Sequence, residues 1–499
     1  MPKALISVYS KIGIVDFARG LVSLGWDLIA SGGTAAMLAS NGLPVIEVAV
    51  YTGSPEILGG RVKTLHPAIH GGLLARDTQT DRAELATSGW KMIDMAVVNL
   101  YPFEATIAKP DVTWDDAIEN IDIGGVALIR AASKNCDRVT LVCDPQDYAE
   151  VLIHLQKGSV PVEMRRKLAV KGFSLTAHYD TVISAHLAGV EVENLTLYPI
   201  QPLRYGENPH QKAALYGYSP DSKPMGGTIL QGKELSYNNL LDLDAAWRAV
   251  VSFERTSVCI VKHLSPCGMA SSNFLADAYR EALASDPISA FGGVVACNRV
   301  VDGDTAHLMS DLFIECIIAP GFKEDAREIL AKKKNLRLVE MPDLKVEPNF
   351  ELRSITRGVL KQSVDFGDPS DEKWQVVSER QPTAEEWQSL KFAWKACQHV
   401  KSNSIVFASG EATVGIGGGQ PNRVDCVKIA AERAGEKSRG AVMASDAFFP
   451  FPDSVETAIN SGITAIIHPG GSVRDTESIA AANAHGVAMV TTGVRHFRH

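Results

Sequence analysis

No C-x-x-C pair occurs in this 499-residue sequence, whose eight cysteines stand at positions 136, 143, 259, 267, 297, 316, 397 and 426. Zinc sites built from cysteine commonly use such pairs, so the spacing gives zinc no support. Cys259, Cys297 and Cys316 lie in apolar, strand-like runs, which is typical of buried thiols in a reducing compartment. We therefore expect a cytoplasmic protein without bound metal.

Long apolar runs and a surplus of basic residues are missing as well. No apolar run approaches the roughly 20 residues that span a membrane, and residues 1–6 are too few and too soon polar for a signal peptide. The formal net charge of -9 argues against a polynucleotide, because such binding draws on a basic surface. We expect neither membrane nor nucleic acid as partner, whereas small anions need only local donors.

The composition is that of an ordinary globular protein, with 45% hydrophobic and 21% charged residues, and the length predicts two or three domains. The first part alternates strands and helices, which indicates a doubly wound α/β domain. The pattern predicts strands at 4–8, 26–30, 95–100 and 139–143, and helices at 13–24, 35–40, 126–133 and across 145–185. No P-loop motif is present, so a P-loop nucleotidase is not expected.

Ser31-Gly32-Gly33-Thr34 follows the second predicted strand and precedes a helix. A helix N-terminus with two hydroxyl groups offers N–H donors and a positive dipole end to an anion such as a phosphate. Paired glycines between a strand and a helix are also a common packing device. Both interpretations stay open at this point.

Residues 59–67, GGRVKTLHP, place Arg61 and Lys63 in a glycine-bracketed loop. Two cations so placed suit a loop that closes over an anionic ligand, although a solvated basic turn is the alternative. The spacing of His66 and His70 could bind a metal on a helix. We expect Pro67 and the glycines after it to prevent a regular helix, and the Glu of H-E-x-x-H is missing, so metal binding is discounted.

Further polar groups follow the later N-terminal strands. Asn99 and Tyr101 stand where the strand at 95–100 ends, and Asp122 precedes Gly124-Gly125 and a helix that ends at Lys134. Asp122 could simply cap that helix, and Lys134 could complement its C-terminus.

An acidic and then proline-containing segment from Leu187 to Pro202 interrupts the pattern, and we interpret it as the boundary between two domains, at 1–195 and 200–499. Directly beyond it, residues 203–211, LRYGENPHQ, set functional side chains on turn-forming residues. That composition is typical of a site more than of a linker.

Lys262 and His263 end the apolar run 258–261, and we expect Ser265-Pro266 to stop that strand. A neutral imidazole can accept a proton near neutral pH, and a neighbouring ammonium group can stabilise an oxyanion. The two side chains can share one pocket only if the backbone turns there. Taken alone, the dipeptide favours the plainer interpretation of a solvated lysine beside a structural histidine.

Other signals in the second part are weaker. Glu315 lies inside an apolar strand, so it must be an orienting group or half of a structural ion pair. The glycine run 415–419 is a poor dinucleotide fingerprint because Gln420 stands where the third glycine would fall. The aromatics of residues 445–451 suit a flat heterocycle but more often form core. The basic, aromatic terminus 495–499 is a solvated tail or an anion-binding lid.

Together and in order, these segments resemble the family of bifunctional purine-biosynthesis enzymes that combine AICAR transformylase with IMP cyclohydrolase. The resemblance covers nearly the whole chain and rests on long motifs: SGGT, GRVKTLHP, NLYPF, IDIGG, AASKN, LRYGENPHQ, VKH-x-x-PCG, DPISAFGG, IIAPGF, KSNS, SDAFFPF and the terminal RHFRH. Tyr9-Ser10 departs from it, since many members have Ser-Asp before the lysine that Lys11 matches.

The resemblance implies a methylglyoxal-synthase-like, doubly wound N-terminal domain (1–195) that carries the cyclohydrolase. It implies a transformylase domain (200–499) built from two cytidine-deaminase-like α/β subdomains. The expected reactions are formyl transfer from 10-formyltetrahydrofolate to AICAR, then dehydrative closure of formyl-AICAR to IMP. Folate acts as a cosubstrate, no cofactor is held tightly, neither step uses a metal, and family members are homodimers.

The resemblance also implies roles for individual residues. His263 is the base of formyl transfer, Lys262 its oxyanion or proton-transfer partner, and Asn403 orients the base. The cyclohydrolase residues are Lys63, Tyr101, Asp122 and Lys134. The implied substrate-binding residues are Lys11, Ser31, Gly32, Gly33, Thr34, Arg61, Thr64, Asn99, Gly124, Gly125, Arg204, Tyr205, Phe291, Gly292, Glu315, Phe449, Arg495 and His499.

Competing interpretations predict different chemistry. A phosphate-ligand-binding or lyase module of the methylglyoxal-synthase type, without transformylase activity, would explain the N-terminal half but not Lys262 and His263. A zinc deaminase would need a metal, which the cysteine spacing disfavours. A non-enzymatic nucleotide-binding protein would fill both sites without turnover.

Overall fold

A computed structural model describes residues 1–190, 192–193, 195–370 and 373–499 of the chain. The chain forms two compact units, Met1–Leu195 and Thr196–His499. Glu191 and Asn194, two polar residues of the predicted boundary segment, lie outside the described residues. Across those described residues, no helix is both long enough and apolar enough to cross a membrane.

The N-terminal unit alternates strands and helices along the chain. Its elements are β1 (Lys3–Ser7), α1 (Ile14–Ser23), β2 (Asp27–Ala30), α2 (Gly32–Ser40), β3 (Val45–Glu47), α3 (Val48–Thr52), α4 (Pro67–Leu74), α5 (Gln79–Thr87), β4 (Met95–Val98), α6 (Phe103–Ile107), α7 (Trp114–Glu119), α8 (Gly124–Lys134), β5 (Thr140–Val142), α9 (Tyr148–Gln156) and α10 (Val162–Ala188). Short 3-10 turns lie at Leu58–Gly60 and Pro145–Asp147.

The strands of this unit form one parallel sheet in the order β3-β2-β1-β4-β5. Successive residues of β1 enter different cores: Leu5 belongs to one hydrophobic cluster, whereas Ala4 and Ile6 belong to another. Strands buried on both faces need helices on both faces, as in a doubly wound fold. The predicted fold class of this half is confirmed.

The C-terminal unit is larger and mixes parallel and antiparallel pairing. Its strands are β6 (Tyr198–Leu203), β7 (Ala213–Gly217), β8 (Thr228–Gln231), β9 (Thr256–Lys262), β10 (Ser265–Ser272), β11 (Gly293–Cys297), β12 (Ile314–Ala319), β13 (Arg337–Glu340), β14 (Phe350–Ile355), β15 (Gly358–Ser363), β16 (Gln375–Val376), β17 (Ser404–Ser409), β18 (Ala412–Gly418), β19 (Val442–Ser445), β20 (Ala465–His468) and β21 (Ala488–Thr491). Its helices are α11 (Tyr237–Val251), α12 (Leu275–Ser285), α13 (Gly303–Ser310), α14 (Glu324–Leu330), α15 (Ala384–Cys397), α16 (Arg423–Ala434), α17 (Asp453–Asn460) and α18 (Asp475–Ala484), with 3-10 turns at Pro224–Gly226 and Gly435–Ser438.

One large sheet of the described residues runs in the order β16-β21-β20-β19-β17-β18-β10-β9-β11-β12-β13-β8. The same pattern occurs twice in it: the hairpins β9–β10 and β17–β18 are each followed by a helix and by strands that pair in parallel. The two patterns meet where β10 pairs antiparallel with β18, Ala270 opposite Ala412. This repeat agrees with the expected pair of α/β subdomains.

Two expectations about glycine and proline were wrong. Helices α2 and α8 begin at Gly32 and Gly124, so each glycine pair forms the first helical turn and does not precede it. Residues 67–74 do form a helix, because proline is compatible with the first helical position and the side chain of His66 caps it by accepting from Ala68 N.

Candidate active sites

The N-terminus of α2 carries the predicted anion site. Gly32 and Gly33 are its first residues, so their N–H groups have no partner within the helix. Lys11 Nζ donates to Thr34 Oγ1 at 2.7 Å and to the carbonyl of Val8. Burial lowers the pKa of Lys11. The helix end and this ammonium group both favour a negative ligand here.

The loop after β3 brings further donors to this helix end. A Cβ placed on Gly32 would lie 3.4 Å from Lys63 Nζ, and one on Gly124 would lie 3.0 Å from Thr64 Oγ1. The loop therefore lies against the first turns of both α2 and α8. Lys63 also pairs with Glu56 at 3.2 Å. Segments distant in sequence thus meet at the first turns of α2 and α8, and we call this meeting point the cradle.

Arg61 and Asn99 are engaged with protein groups. The Arg61 guanidinium pairs with Glu119 on the surface, with Nε at 3.2 Å from the carboxylate. Asn99 Oδ1 accepts from the N–H groups of Tyr9 and Ser10, at 2.6 and 3.0 Å. Asn99 therefore holds the loop at Tyr9 and Ser10, the two residues at which the sequence departs from the motif before Lys11.

Asp122, the acid of this unit's predicted site, is held by hydrogen bonds at both its carboxyl and its backbone. Its Oδ1 accepts from Gly125 N at 2.6 Å, and its own N–H donates to the Tyr179 hydroxyl at 2.8 Å. Burial raises the pKa of Asp122, although backbone hydrogen bonds from Gly125 and Tyr101 oppose this shift. The carboxyl caps α8, and its raised pKa suits a group that exchanges protons.

Asp122 and Lys134 both line a cavity of about 550 Å³. Sequence reasoning had not singled out Arg130 and Tyr179, which share its lining, and had considered His70 only as a metal ligand. Burial lowers the pKa of His70, whose Nε2 is buried without a hydrogen-bond partner among the described residues. The full lining is His70, Leu74, Ile121, Asp122, Ile123, Val126, Ala127, Arg130, Ala131, Lys134, Phe173, Tyr179, Asp180 and Ile183.

In the C-terminal unit the chain reverses directly after Lys262. His263 and Leu264 form the two-residue turn of the β9–β10 hairpin, with Lys262 opposite Ser265. The expectation that Ser265-Pro266 would stop the strand was wrong, because these residues begin β10 and the turn comes earlier. His263 is exposed at the tip of the hairpin.

The amine of Lys262 is anchored beside an aromatic pair. Its Nζ donates to the carbonyl of Phe291 at 2.6 Å, and Gly292 N donates to the carbonyl of Phe313 at 2.7 Å. The rings of Phe291 and Phe313 lie 5.3 Å apart and are 58% and 49% exposed. An exposed aromatic pair beside an ammonium group suits a flat, polar heterocycle.

Asn403 is held by a buried ion pair that sequence reasoning missed. Arg423 Nη2 donates to Asn403 Oδ1 at 2.6 Å, and Arg423 Nη1 pairs with Asp446. Asn403 Nδ2 donates to the carbonyls of Gln420 and Pro421, at 2.8 and 3.0 Å. These contacts fix the plane of the Asn403 amide.

Glu315 is only half-buried in its apolar strand, and it has an ionic partner. Its Oε2 accepts from Arg337 Nη1 at 2.7 Å and from Asn239 Nδ2 at 3.4 Å. Of the two predicted alternatives, the ion pair is therefore present. An orienting role stays open, because a carboxylate has further acceptor sites.

The last residues are not a freely solvated tail, and an anion-binding role for them stays a prediction. His496 is buried, with Nδ1 at 2.6 Å from Asp365 and Nε2 at 2.8 Å from Asp368. Arg495 and His499 face outward, where the Arg495 guanidinium covers the Phe497 ring at 4.3 Å. The inward residues hold the terminus in place, and the outward ones stay accessible.

Two other implied binding positions differ in access. The guanidinium of Arg204 is exposed and lies 5.5 Å from the Tyr205 ring centroid. Phe449 is fully buried and packs on His468, so its ring is not open to a ligand. Its neighbours Phe448 and Phe451 are the accessible aromatics of this segment.

Comparisons with known proteins match both halves of the chain. A family model described as AICARFT/IMPCHase bienzyme matches residues 132–433, and one described as MGS-like domain matches residues 13–127. The bifunctional purine biosynthesis protein PurH of Trichormus variabilis is 52% identical over 504 residues, which cover 99% of each chain. That of Cyanothece sp. is 51% identical over 512 residues, which cover all of each chain.

A solved structure described as "Crystal structure of ForH" is 36% identical and covers 39% of this chain and 100% of that chain, with a TM-score of 0.36. Because this score is low, the assignment rests on the family model and on the full-length relatives. The chain therefore belongs to the AICARFT/IMPCHase bienzyme family.

Proposed function

We propose that residues 200–499 transfer a formyl group from 10-formyltetrahydrofolate to AICAR, and that residues 1–195 close formyl-AICAR to IMP. The chain is a bifunctional AICAR transformylase and IMP cyclohydrolase, which its family membership establishes. The observation that carries the assignment of transfer is the Lys262–His263 hairpin tip, with the amine anchored beside an exposed aromatic pair.

Formyl transfer needs both a base and a cation. The AICAR amine is conjugated to a carboxamide-bearing ring and is a poor nucleophile, so its proton must leave as the nitrogen bonds to the formyl carbon. His263 takes this proton, and Lys262 stabilises the oxyanion of the tetrahedral intermediate. The intermediate then collapses as the bond to the folate nitrogen breaks and that nitrogen takes a proton.

The remaining transformylase residues position the substrates. Asn403, held by Arg423, orients the base. Arg204, Tyr205 and Arg495 bind the nucleotide, since exposed guanidinium groups suit its phosphate. The other proposed binding residues are Phe291, Gly292, Glu315, Phe449 and His499, of which Phe449 must become accessible in order to contact a ligand.

Ring closure is an intramolecular attack of the carboxamide nitrogen on the formyl carbon, followed by loss of water, so positioning supplies much of the rate. The cradle at the first turns of α2 and α8 holds the phosphate. Lys63 and the backbone at Gly124 stabilise the oxyanion, while the N–H group of Gly125 keeps the Asp122 carboxyl in place. Asp122, Lys134 and Tyr101 move the protons, which the raised pKa of Asp122 supports.

We further infer a cytoplasmic homodimer that uses 10-formyltetrahydrofolate as an exchangeable cosubstrate and holds no cofactor tightly. All eight cysteines are free, which suits a reducing compartment. The alternative of a phosphate-binding or lyase module without transformylase activity is not favoured, because the bienzyme family model extends to residue 433.

The test compares wild type, His263→Ala and His485→Ala with AICAR and 10-formyltetrahydrofolate, following tetrahydrofolate and IMP. His485 is a matched control, since it is exposed on α18's C-terminal side with Nδ1 near the Ala481 carbonyl. We expect His263→Ala to lose about 100-fold or more of formyl transfer, the range of a general base. It should still cyclise supplied formyl-AICAR. Unchanged formyl transfer in His263→Ala contradicts the proposal.

A further inference from the structure

The turn at the tip of the β9–β10 hairpin has an unfavourable backbone. His263 and Leu264 have φ values of 54° and 63°, both in the left-handed region. A two-residue turn of this kind normally uses Asn-Gly or a similar pair, because other residues are strained there. Histidine tolerates this region better than most residues, but leucine does not, so the turn needs support from outside its own sequence.

The carboxylate of Asp242 holds it. Asp242 Oδ2 accepts from His263 N at 3.2 Å, and Oδ1 accepts from Leu264 N at 2.7 Å. Each oxygen thus binds one residue of the turn. Hydrogen bonds to an ionised group are stronger than neutral ones, so this carboxylate favours the strained conformation.

Helix α11, which carries Asp242, is well fixed. Ser236 and Asn239 form a reciprocal cap at its start, and Leu243 and Trp247 are buried in the main core of the unit. Asn239, three residues before Asp242 and so on the same face of the helix, donates to Glu315. One helical face therefore contacts both the hairpin tip and a second predicted substrate-binding residue.

We infer that Asp242 is a positioning residue for formyl transfer: it fixes the turn so that the His263 imidazole and the Lys262 amine keep their relative directions. This inference rests on the proposed roles of Lys262 and His263. Asp242 acts through the backbone of the turn and needs no contact with substrate. Without it the turn samples other conformations, and the base is aligned for only part of the time.

The experiment measures kcat and KM for AICAR in the full chain with Asp242→Ala and Asp242→Asn. Because misplacing a catalytic group by about 1 Å can cost roughly 100-fold, we expect kcat of Asp242→Ala to fall by about that factor with a smaller change in KM. Asp242→Asn keeps the volume and one acceptor oxygen, so its loss should be intermediate. Closure of supplied formyl-AICAR should stay at the wild-type rate in both variants.

A rescue separates positioning from simple loss of structure. Glycine adopts positive φ without strain, so Leu264→Gly should recover at least about 5-fold of the kcat that Asp242→Ala loses, measured against Leu264→Gly alone. Asp302→Ala is the matched control: Asp302 caps α13 in the same unit by accepting from Thr305 N at 3.0 Å, so this variant should keep wild-type kcat.

The outcomes are distinct. Wild-type kcat in both Asp242→Ala and Asp242→Asn overturns the inference. A loss that Leu264→Gly does not reduce also overturns it, because Asp242 then acts by some route other than the turn. If His263→Ala retains full formyl transfer, the proposed function itself is contradicted. If His263→Ala is inactive but Asp242→Ala is fully active, only the inference about Asp242 is contradicted.

Discussion

Replacing Asp446 by asparagine tests whether the buried Arg423–Asp446 pair supports the C-terminal unit and Asn403. The side chains are 6% and 0% exposed, so neither charge has water to compensate it. Losing one partner of a buried ion pair costs about 3–5 kcal/mol, because the other charge stays buried and unpaired. We expect the Asp446→Asn variant to lose stability in that range.

The contacts of the carboxylate support this magnitude. Asp446 accepts from Arg423 Nη1, from Ser402 Oγ and from Ser404 N, the last at 3.1 Å. Hydrogen bonds to charged groups contribute about 1.5–3 kcal/mol each. Asparagine can keep the acceptor at Oδ1, which bonds Arg423 Nη1 and Ser404 N, but it replaces Oδ2 by a donor and removes the negative charge that faces Arg423. The expected loss therefore comes mainly from the arginine charge that is left buried without a counter-ion. For a unit of this size the midpoint of thermal unfolding should fall by about 5–15 °C.

The assay is urea unfolding followed by tryptophan fluorescence, together with formyl transfer measured in the same preparations. Arg423→Met and the double variant complete a cycle. The double variant should be less destabilised than the sum of the single ones by at least about 1 kcal/mol, since it leaves no unpaired charge. Glu436→Gln, at an exposed pair with Arg439, should cause no measurable change. Strict additivity, or a loss under about 1 kcal/mol for Asp446→Asn, refutes the reasoning.

Two further predictions concern the other parts of the sites. In Gly125→Ala, the new Cβ would lie 2.5 Å from Asp122 Oδ2 and would displace that carboxyl. This displacement should slow closure of supplied formyl-AICAR by about 100-fold, while formyl transfer continues. An unchanged rate of closure would speak against a role for Asp122. Burial lowers the pKa of His496, but Asp365 and Asp368 more than offset this and raise the pKa to about 9. Because a free histidine titrates near about 6.5, this stabilisation is complete below that pH and is lost as the pH rises through about 9. The His496→Gln variant should lose this pH dependence of the unfolding midpoint. A pH profile identical to that of the wild type contradicts this prediction.

Four of the five strands of the N-terminal sheet were predictable because they are short apolar runs, and helices α1 and α8 carry clear apolar stripes. Strand β3 (Val45–Glu47) was missed, because three residues give too short a pattern. The helix at 67–74 was missed because proline at a first helical position favours a helix, whereas proline inside one breaks it. Gly72 within it is required by packing, since a Cβ there would lie 2.7 Å from the carbonyl of Lys91, and no local pattern records such a contact.

In the candidate sites, too, some residues could be predicted from the sequence and others could not. Motif resemblance indicated Lys262, His263 and Asn403, but it gave no sign of Asp242, which accepts from the backbone of the hairpin turn, or of Arg423, which donates to Asn403. The available signal for Asp242 was its spacing of three residues from Asn239, which places both polar side chains on one face of α11. Arg423 gave none, because a buried arginine looks like a surface one in sequence.

The central claim is that the two steps occur in separate units of one chain, and mixing two inactive variants tests it most directly. His263→Ala should lack formyl transfer, and Asp122→Asn should lack ring closure, so neither should convert AICAR and 10-formyltetrahydrofolate to IMP. The mixture should make IMP, with formyl-AICAR passing from one variant to the other. A mixture of folded variants that makes no IMP, or a single variant that makes it at the wild-type rate, contradicts the account.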